Sequence, residues 1–176
     1  SEMCIRDSYL FTATLRTDGS SRFDNHKWGI FPSASMAWRI IDEPFMAGAT
    51  GWLSNLKLRI GWGATGNNAT REMYPSNLLY WGGENYPWNN NLHQALYMLQ
   101  LANRNLKWET TYQTNIGLDF ALWNNRLHGS VDVYDKDTRD LLLYADVPPS
   151  IGFTQVQQNI GSISNRGLEI TLNATI

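Results

Sequence analysis

The stretch that decides the fold reads Leu56-Lys57-Leu58-Arg59-Ile60-Gly61-Trp62-Gly63-Ala64. Its even-numbered positions are all apolar, and its odd-numbered positions hold lysine, arginine or glycine. Successive side chains of a β-strand point to opposite faces of the sheet. The alternation therefore predicts a strand with one apolar face and one polar face.

Five further segments show the same alternation. They cover residues 9–16, 32–40, 110–122, 127–134 and 168–176. Segment 110–122 is about as long as a tilted membrane strand. Asn124-Asn125 lies between two of these segments and predicts a two-residue hairpin turn, because asparagine tolerates the positive φ that such turns require. The sequence thus predicts an all-β, antiparallel fold with about six strands.

The connections between these strands alternate in length. Residues 17–29, 65–108 and 139–162 are long, polar and rich in Gly, Asn, Trp and Tyr, whereas the Asn124-Asn125 turn and the link 42–54 are shorter. Membrane barrels have short turns at one end and long loops at the outer end. A connection of about forty residues with little regular pattern is rare in compact soluble domains. Although alternation alone also fits a soluble barrel or sandwich, the loops favour a transmembrane β-barrel.

Composition agrees with this interpretation. Charged residues make up 17% of the chain, and it has 8 Trp and 8 Tyr, which is typical of membrane interfaces or sugar-binding surfaces. The net charge of −2 and the scattered Lys and Arg argue against nucleic-acid binding. No apolar run approaches the roughly 18 residues of a membrane-spanning helix.

The sequence lacks the patterns of an enzyme or a cofactor site. Its single cysteine, Cys4, excludes a disulfide framework within the chain, and His26, His93 and His128 have no metal-ligand spacing. Neither a phosphate-binding loop nor a Gly-x-Ser-x-Gly elbow is present. We therefore expect no catalytic residue, metal or cofactor.

The first residues have a different character. Met3-Cys4-Ile5-Arg6-Asp7 resembles the translation of a sequencing adapter, so we expect residues 1–7 to be an artefact and residues 8–176 to be truncated at the N-terminus.

Several sequence blocks together resemble the SusC/RagA group of TonB-linked outer-membrane transporters found in Bacteroidetes. The resemblance runs in order along nearly all of residues 8–176. Its blocks lie at residues 16–23, 28–33, 37–40, 56–59, 65–67, 106–109, 113–120, 125–132, 159–161 and 165–169.

The resemblance implies one segment of a barrel of about twenty-two strands, plugged by an N-terminal domain. Residues 8–176 would supply about six strands, without the plug or the closing strands. The implied protein lies in lipid of the bacterial outer membrane and imports a nutrient such as a glycan or an oligopeptide. A SusD-like surface lipoprotein covers its mouth, and the TonB complex supplies energy through the missing N-terminal regions. The alternatives are a soluble carbohydrate-binding β-sandwich and a non-transporting outer-membrane receptor barrel.

Three groups of candidate site residues follow. Aromatic faces stack on sugar rings and amides match hydroxyl pairs, so one group is expected to contact substrate or the lid unless its rings pack the loop onto itself: Trp81, Asn85, Tyr86, Trp88 and Asn90. A second group is expected to face the lumen: Arg39, Lys57, Arg59, Asp119, Asp132 and Glu169. A third is expected at the membrane interface: Trp38, Trp62, Phe120 and Trp123.

Overall fold

The computed structural model describes residues 2–5, 8–70 and 75–175. Its strands in chain order are β1 (Glu2–Ile5), β2 (Tyr9–Gly19), β3 (Trp28–Arg39), β4 (Leu53–Asn67), β5 (Tyr80–Trp88), β6 (Asn91–Met98), β7 (Glu109–Leu122), β8 (Leu127–Arg139), β9 (Leu142–Asp146), β10 (Gln155–Asn159) and β11 (Ser162–Ala174). Short 3-10 helices lie at Ile40–Asp42, Pro44–Met46 and Pro149–Ile151. No helix in the described part of the chain is long and apolar enough to cross a membrane.

Most of the strands belong to one antiparallel sheet with the order β1-β2-β3-β4-β7-β8-β11. All six strands predicted from alternation are present in it, so the prediction of an all-β antiparallel fold is confirmed. β1 pairs with the start of β2. That residues 1–7 derive from an adapter stays a prediction.

Two of the long connections contain hairpins of their own. β5 pairs with β6 inside the connection 68–108, and β9 pairs with β10 inside 140–161. The expectation that these connections have little regular structure is therefore wrong. In the first hairpin the turn residues Asn89 and Asn90 have φ values of 52° and 60°, which is the conformation that a two-residue hairpin turn requires.

The long connections meet at one end of the sheet, as predicted. Asn103 Nδ2 donates a hydrogen bond to Gln157 O at 2.9 Å, and Trp108 Nε1 donates one to Lys27 O at 3.3 Å. At the opposite end, the shorter link and the turn are joined where Trp123 N–H donates to Trp52 O at 2.8 Å.

The short turn differs slightly from its prediction. Asn124 and Asn125 have φ values of 55° and 66°, which confirms the predicted left-handed conformation. The ladder nevertheless stops at the pair Leu122–Leu127. Trp123 N–H donates to Trp52 O, and Arg126 O accepts from Thr175 N–H. The residues that flank the asparagines therefore bond to the residue before β4 and the residue after β11.

Several strands extend beyond their predicted ends. β3 begins at Trp28 instead of Pro32, and β4 runs over Leu53–Asn67. β11 begins at Ser162 and ends at Ala174, and the predicted end of this strand at residue 176 lies outside the described residues.

A small core lies where β3 and β4 part. Their ladder ends at the pair Ser33–Gly63, although each strand continues in its ladder with its other neighbour. Beyond this point a cluster of buried apolar side chains joins β3 to two long connections: Phe23, Phe31, Leu106 and Trp108, with Leu142 packed against them. Burying a side chain of this kind contributes roughly 1.5–3 kcal/mol, so the cluster holds the connections to the sheet.

Candidate functional site

One face of the large sheet carries continuous apolar rows. The strand register aligns one such row across six strands: Phe11, Met36, Ile60, Ile116, Val133 and Leu168. The adjacent row is also apolar: Tyr9, Trp38, Leu58, Leu118, Val131 and Ile170. Side chains of the first row remain 38–60% exposed. The described residues therefore leave a broad apolar surface open.

Three of the four predicted interface aromatics lie on this apolar face. They are Trp38, Trp62 and Phe120, whereas Trp123 lies in the short turn with a φ of 49°. The ring of Trp38 stacks on Tyr9 with centroids 5.9 Å apart. Both residues donate a hydrogen bond to Glu43 Oε1, at 3.0 Å and 2.7 Å. This arrangement places an apolar ring beside a satisfied polar tip, which suits a membrane interface.

The opposite face of the sheet carries the predicted charged residues. Arg59 on β4 binds Asp119 on β7 through two hydrogen bonds of 2.8 Å, from Nε and Nη2. Its Nη2 also donates to Asp132 Oδ1 on β8 at 2.9 Å. One guanidinium thus connects three neighbouring strands with bidentate geometry, the strongest form of such a pair.

The other three charged residues share this face but are placed differently. Lys57 lies in register between Arg39 and Asp119, and Glu169 lies opposite Asp132. Arg39 makes its ion pair outside the sheet, with Asp42 at 3.2 Å. In the described residues, no group of three or more His, Cys, Asp or Glu could hold a metal ion.

The hairpin β5–β6 gathers most of the candidate contact residues. Trp81, Tyr86 and Trp88 pair with Tyr97, His93 and Asn91, and these partners alternate regularly along β6. All six side chains therefore share one face. The rings of Tyr86 and His93 lie 5.8 Å apart. We call the surface formed by these six residues the aromatic face.

A β-bulge makes this alignment possible. Trp81 and Tyr86 would point to opposite faces of an uninterrupted strand, but the register of β5 shifts between Gly82 and Asn85. The extra residue restores a common orientation. The remaining candidates are placed elsewhere: Asn85 pairs with Gln94 on the opposite face, and Asn90 forms the turn.

Sequence reasoning missed the side chains that join the long connections. Asn159 accepts a hydrogen bond from Lys107 N–H at 2.9 Å and donates from Nδ2 to the carbonyl oxygens of Lys107 and Asp140, at 2.8 Å and 2.9 Å. The sequence did mark these residues, because Phe23, Trp108 and Asn159 all lie in the blocks that carry the family resemblance. The lengths of the connections placed these blocks at one end of the sheet, but nothing in the sequence indicated which of their side chains contact one another.

Comparison with known proteins identifies relatives along almost the whole chain. The family described as TonB dependent receptor-like, beta-barrel matches residues 3–175. TonB-dependent receptor P39 of Formosa agariphila is 41% identical over 96% of this chain, and TonB-dependent receptor SusC of Bacteroides thetaiotaomicron is 41% identical over 97%. The RagAB peptide importer in its closed-closed state contains a chain that is 32% identical over 97% of this chain, with a TM-score of 0.84.

These relatives are much longer than the chain. The aligned region spans 16% of the Formosa protein, 17% of SusC and 18% of the matched chain in the RagAB structure.

Proposed function

The chain belongs to the TonB-dependent receptor-like β-barrel family of the outer membrane, and we propose that it forms part of the barrel wall of a SusC/RagA-like nutrient importer. In this role its apolar face contacts lipid and its charged face lines the lumen. The three long connections lie at the cell surface. The role involves no catalytic step, and the matched relatives are named as receptors and as an importer.

The observation that carries this proposal is the pair of continuous apolar rows. A soluble β-sandwich covers such a surface with a second sheet, whereas the described core lies at the loop end of β3 and β4, away from the rows. The lengths fit a membrane: the 14 residues of β7 extend over ~48 Å, or ~34 Å across the bilayer at a tilt of about 45°, against a hydrocarbon core of about 30 Å.

The edge of the apolar face also supports contact with lipid. On β11 the face ends where Arg166 pairs with Asp135 of β8 at 3.0 Å. On β3 it extends much further toward the long connections, to Ile30 and Trp28. A membrane surface crosses tilted barrel strands obliquely, so an oblique boundary of this kind is expected on the lipid side.

The candidate residues take their proposed roles from this orientation. The charged residues around Arg59 face the lumen, where they bind one another and the plug of the longer protein. Trp38, Phe120 and Trp123 lie near the periplasmic interface, and Trp62 lies nearer the outer one. The hairpin β5–β6 contacts the imported nutrient or a SusD-like lipoprotein lid, and the TonB complex energises transport through the plug.

The proposal is tested in a Bacteroidetes strain that carries the parent gene. We expect deletion of the gene to abolish growth on one glycan or oligopeptide source, and disruption of TonB to abolish uptake of the same nutrient. The intact gene, returned on a plasmid, restores both. A non-transporting receptor would still bind its ligand at the cell surface. Deletion of its gene, however, would leave the uptake of every nutrient unchanged. That result would reject the importer.

A further inference from the structure

The hairpin β5–β6 has two chemically different faces. The aromatic face carries Trp81, Tyr86, Trp88 and Tyr97, with exposures from 46% to 69%. The opposite face is mixed, with Leu92 and Leu96 more than 70% exposed and with the pairs Tyr80–Met98 and Asn85–Gln94 beside them, but it carries no Trp. Aliphatic side chains pack well against protein, whereas planar rings also stack on flat apolar surfaces. The two faces are therefore suited to different partners.

The aromatic face has almost no charge. Residues 80–98 contain no Lys or Arg, and their only carboxylate is Glu84 in the bulge. His93 lies close to Tyr86. A ligand with phosphate or carboxylate groups would find no cation here to compensate its loss of water. The face thus matches an uncharged ligand.

Asparagine side chains lie at the turn end of the aromatic face. Asn91 lies on the aromatic face beside Trp88, and its Nδ2 donates a hydrogen bond to Asn89 O at 3.3 Å. An amide side chain has both a donor and an acceptor, as a pair of neighbouring hydroxyl groups does. From Tyr97 to Asn91 the aromatic face is about 20 Å long at the usual rise per residue. This length is enough for several linked sugar rings.

We infer that the aromatic face is a binding site for a neutral oligosaccharide, whose rings stack on Trp81, Tyr86 and Trp88. The opposite face of the same hairpin, through Leu92 and Leu96, packs against protein. The bulge between Gly82 and Asn85 is the feature that creates the site, because it turns the three rings to one side. This inference rests on the proposed import function and assigns a class of nutrient to it.

The test uses the full-length transporter, purified in detergent, and neutral hexasaccharides of α-1,4-glucose, β-1,4-glucose, β-1,4-xylose and β-1,4-mannose. A digest of casein serves as the peptide probe. The triple variant Trp81→Ala, Tyr86→Ala and Trp88→Ala removes the rings, and Leu92→Ala with Leu96→Ala truncates the opposite face of the same hairpin as a matched control. Thermal unfolding of each variant checks that the barrel remains folded.

We expect at least one hexasaccharide to bind, the triple variant to weaken that binding at least tenfold, and the control to change it less than threefold. Trp88→Phe should retain most of the affinity, because it keeps a ring. Unchanged affinity in the triple variant would overturn the inference, as would binding of peptides alone. Reduced co-purification of a lipoprotein with the triple variant, without any effect on sugar binding, would identify the occupant as protein.

The import function is judged separately by uptake in cells. If the nutrient is still imported in a TonB-dependent manner while the triple variant binds sugar normally, only the sugar site is rejected. If the wild-type gene supports uptake of no nutrient, the proposed function fails as well.

Discussion

The ring of Phe31 on β3 lies directly over the backbone of Gly66 on β4, so closely that a Cβ at position 66 would overlap it. The contact occurs beyond the last ladder pair of these two strands. Phe31 belongs to the buried cluster that holds two of the long connections. The absence of a side chain at Gly66 is thus what lets the cluster close against β4.

Gly66→Ala should therefore loosen the long connections. Displacing a buried ring to make room for a methyl group typically costs about 1–3 kcal/mol, and we expect the free energy of unfolding of the full-length protein in detergent to fall by that amount. Limited proteolysis within residues 68–108 should become faster. Gly61→Ala is the matched control, since no heavy atom lies within 4 Å of its added Cβ. Equal effects of the two variants would contradict the proposed role of the contact.

Arg59→Gln should destabilise the sheet because it leaves Asp119 and Asp132 without their shared cation. The side chains are partly exposed, at 42%, 29% and 31%, so solvent screening limits the expected loss to about 1–2 kcal/mol. Urea unfolding followed by tryptophan fluorescence measures it. Arg166→Gln removes the same charge from the more exposed pair with Asp135 and should cost less than about 0.5 kcal/mol. A loss at Arg59 no larger than this would show that the connection between strands does not stabilise the barrel.

Asn125→Ile should disturb the short turn. Asn125 has a φ of 66°, a conformation that costs a β-branched residue about 1–2 kcal/mol, and the same turn carries the hydrogen bond from Trp123 to Trp52. We expect slower folding into detergent micelles and a lower free energy of unfolding. Asn125→Gly keeps the conformation and should have little effect. If Ile is tolerated as well as Gly, the left-handed turn is not required.

The alternation of apolar and polar residues located the strands, because each strand has one apolar face and one polar face. The start of β3 was predicted less well, at Pro32 instead of Trp28. Proline lacks the N–H that a ladder needs. In the structure Pro32 pairs with Leu15 of β2 but lies beyond the ladder with β4, which ends at Ser33–Gly63. The missing N–H therefore does not interrupt the β3–β4 ladder, and the strand continues to Trp28.

The hairpin β5–β6 shows why the candidate site was only partly predictable. Asn89-Asn90 carries the same turn signal as Asn124-Asn125, but the bulge breaks the alternation that would have identified β5. Without the register, Trp81 and Tyr86 could not be assigned to one face, and Asn85 could not be separated from them. The contacts of Asn159 could not be predicted from the sequence either, because they join residues far apart in the chain.

The most direct test of the membrane-barrel role compares two neighbouring positions on β7. Ile116 lies in the exposed apolar row that we propose contacts lipid, and Asn115 lies on the opposite face beside Gly61, which leaves room for a larger side chain. Arginine near the middle of the lipid face of a barrel costs about 2–4 kcal/mol, whereas substitutions inside the lumen cost much less. The measurement is the amount of folded full-length protein in the outer membrane of cells that express Ile116→Arg or Asn115→Arg. We predict that Ile116→Arg strongly reduces this amount and that Asn115→Arg preserves it, while normal assembly of Ile116→Arg, or an equal loss in both variants, would contradict contact of this face with lipid.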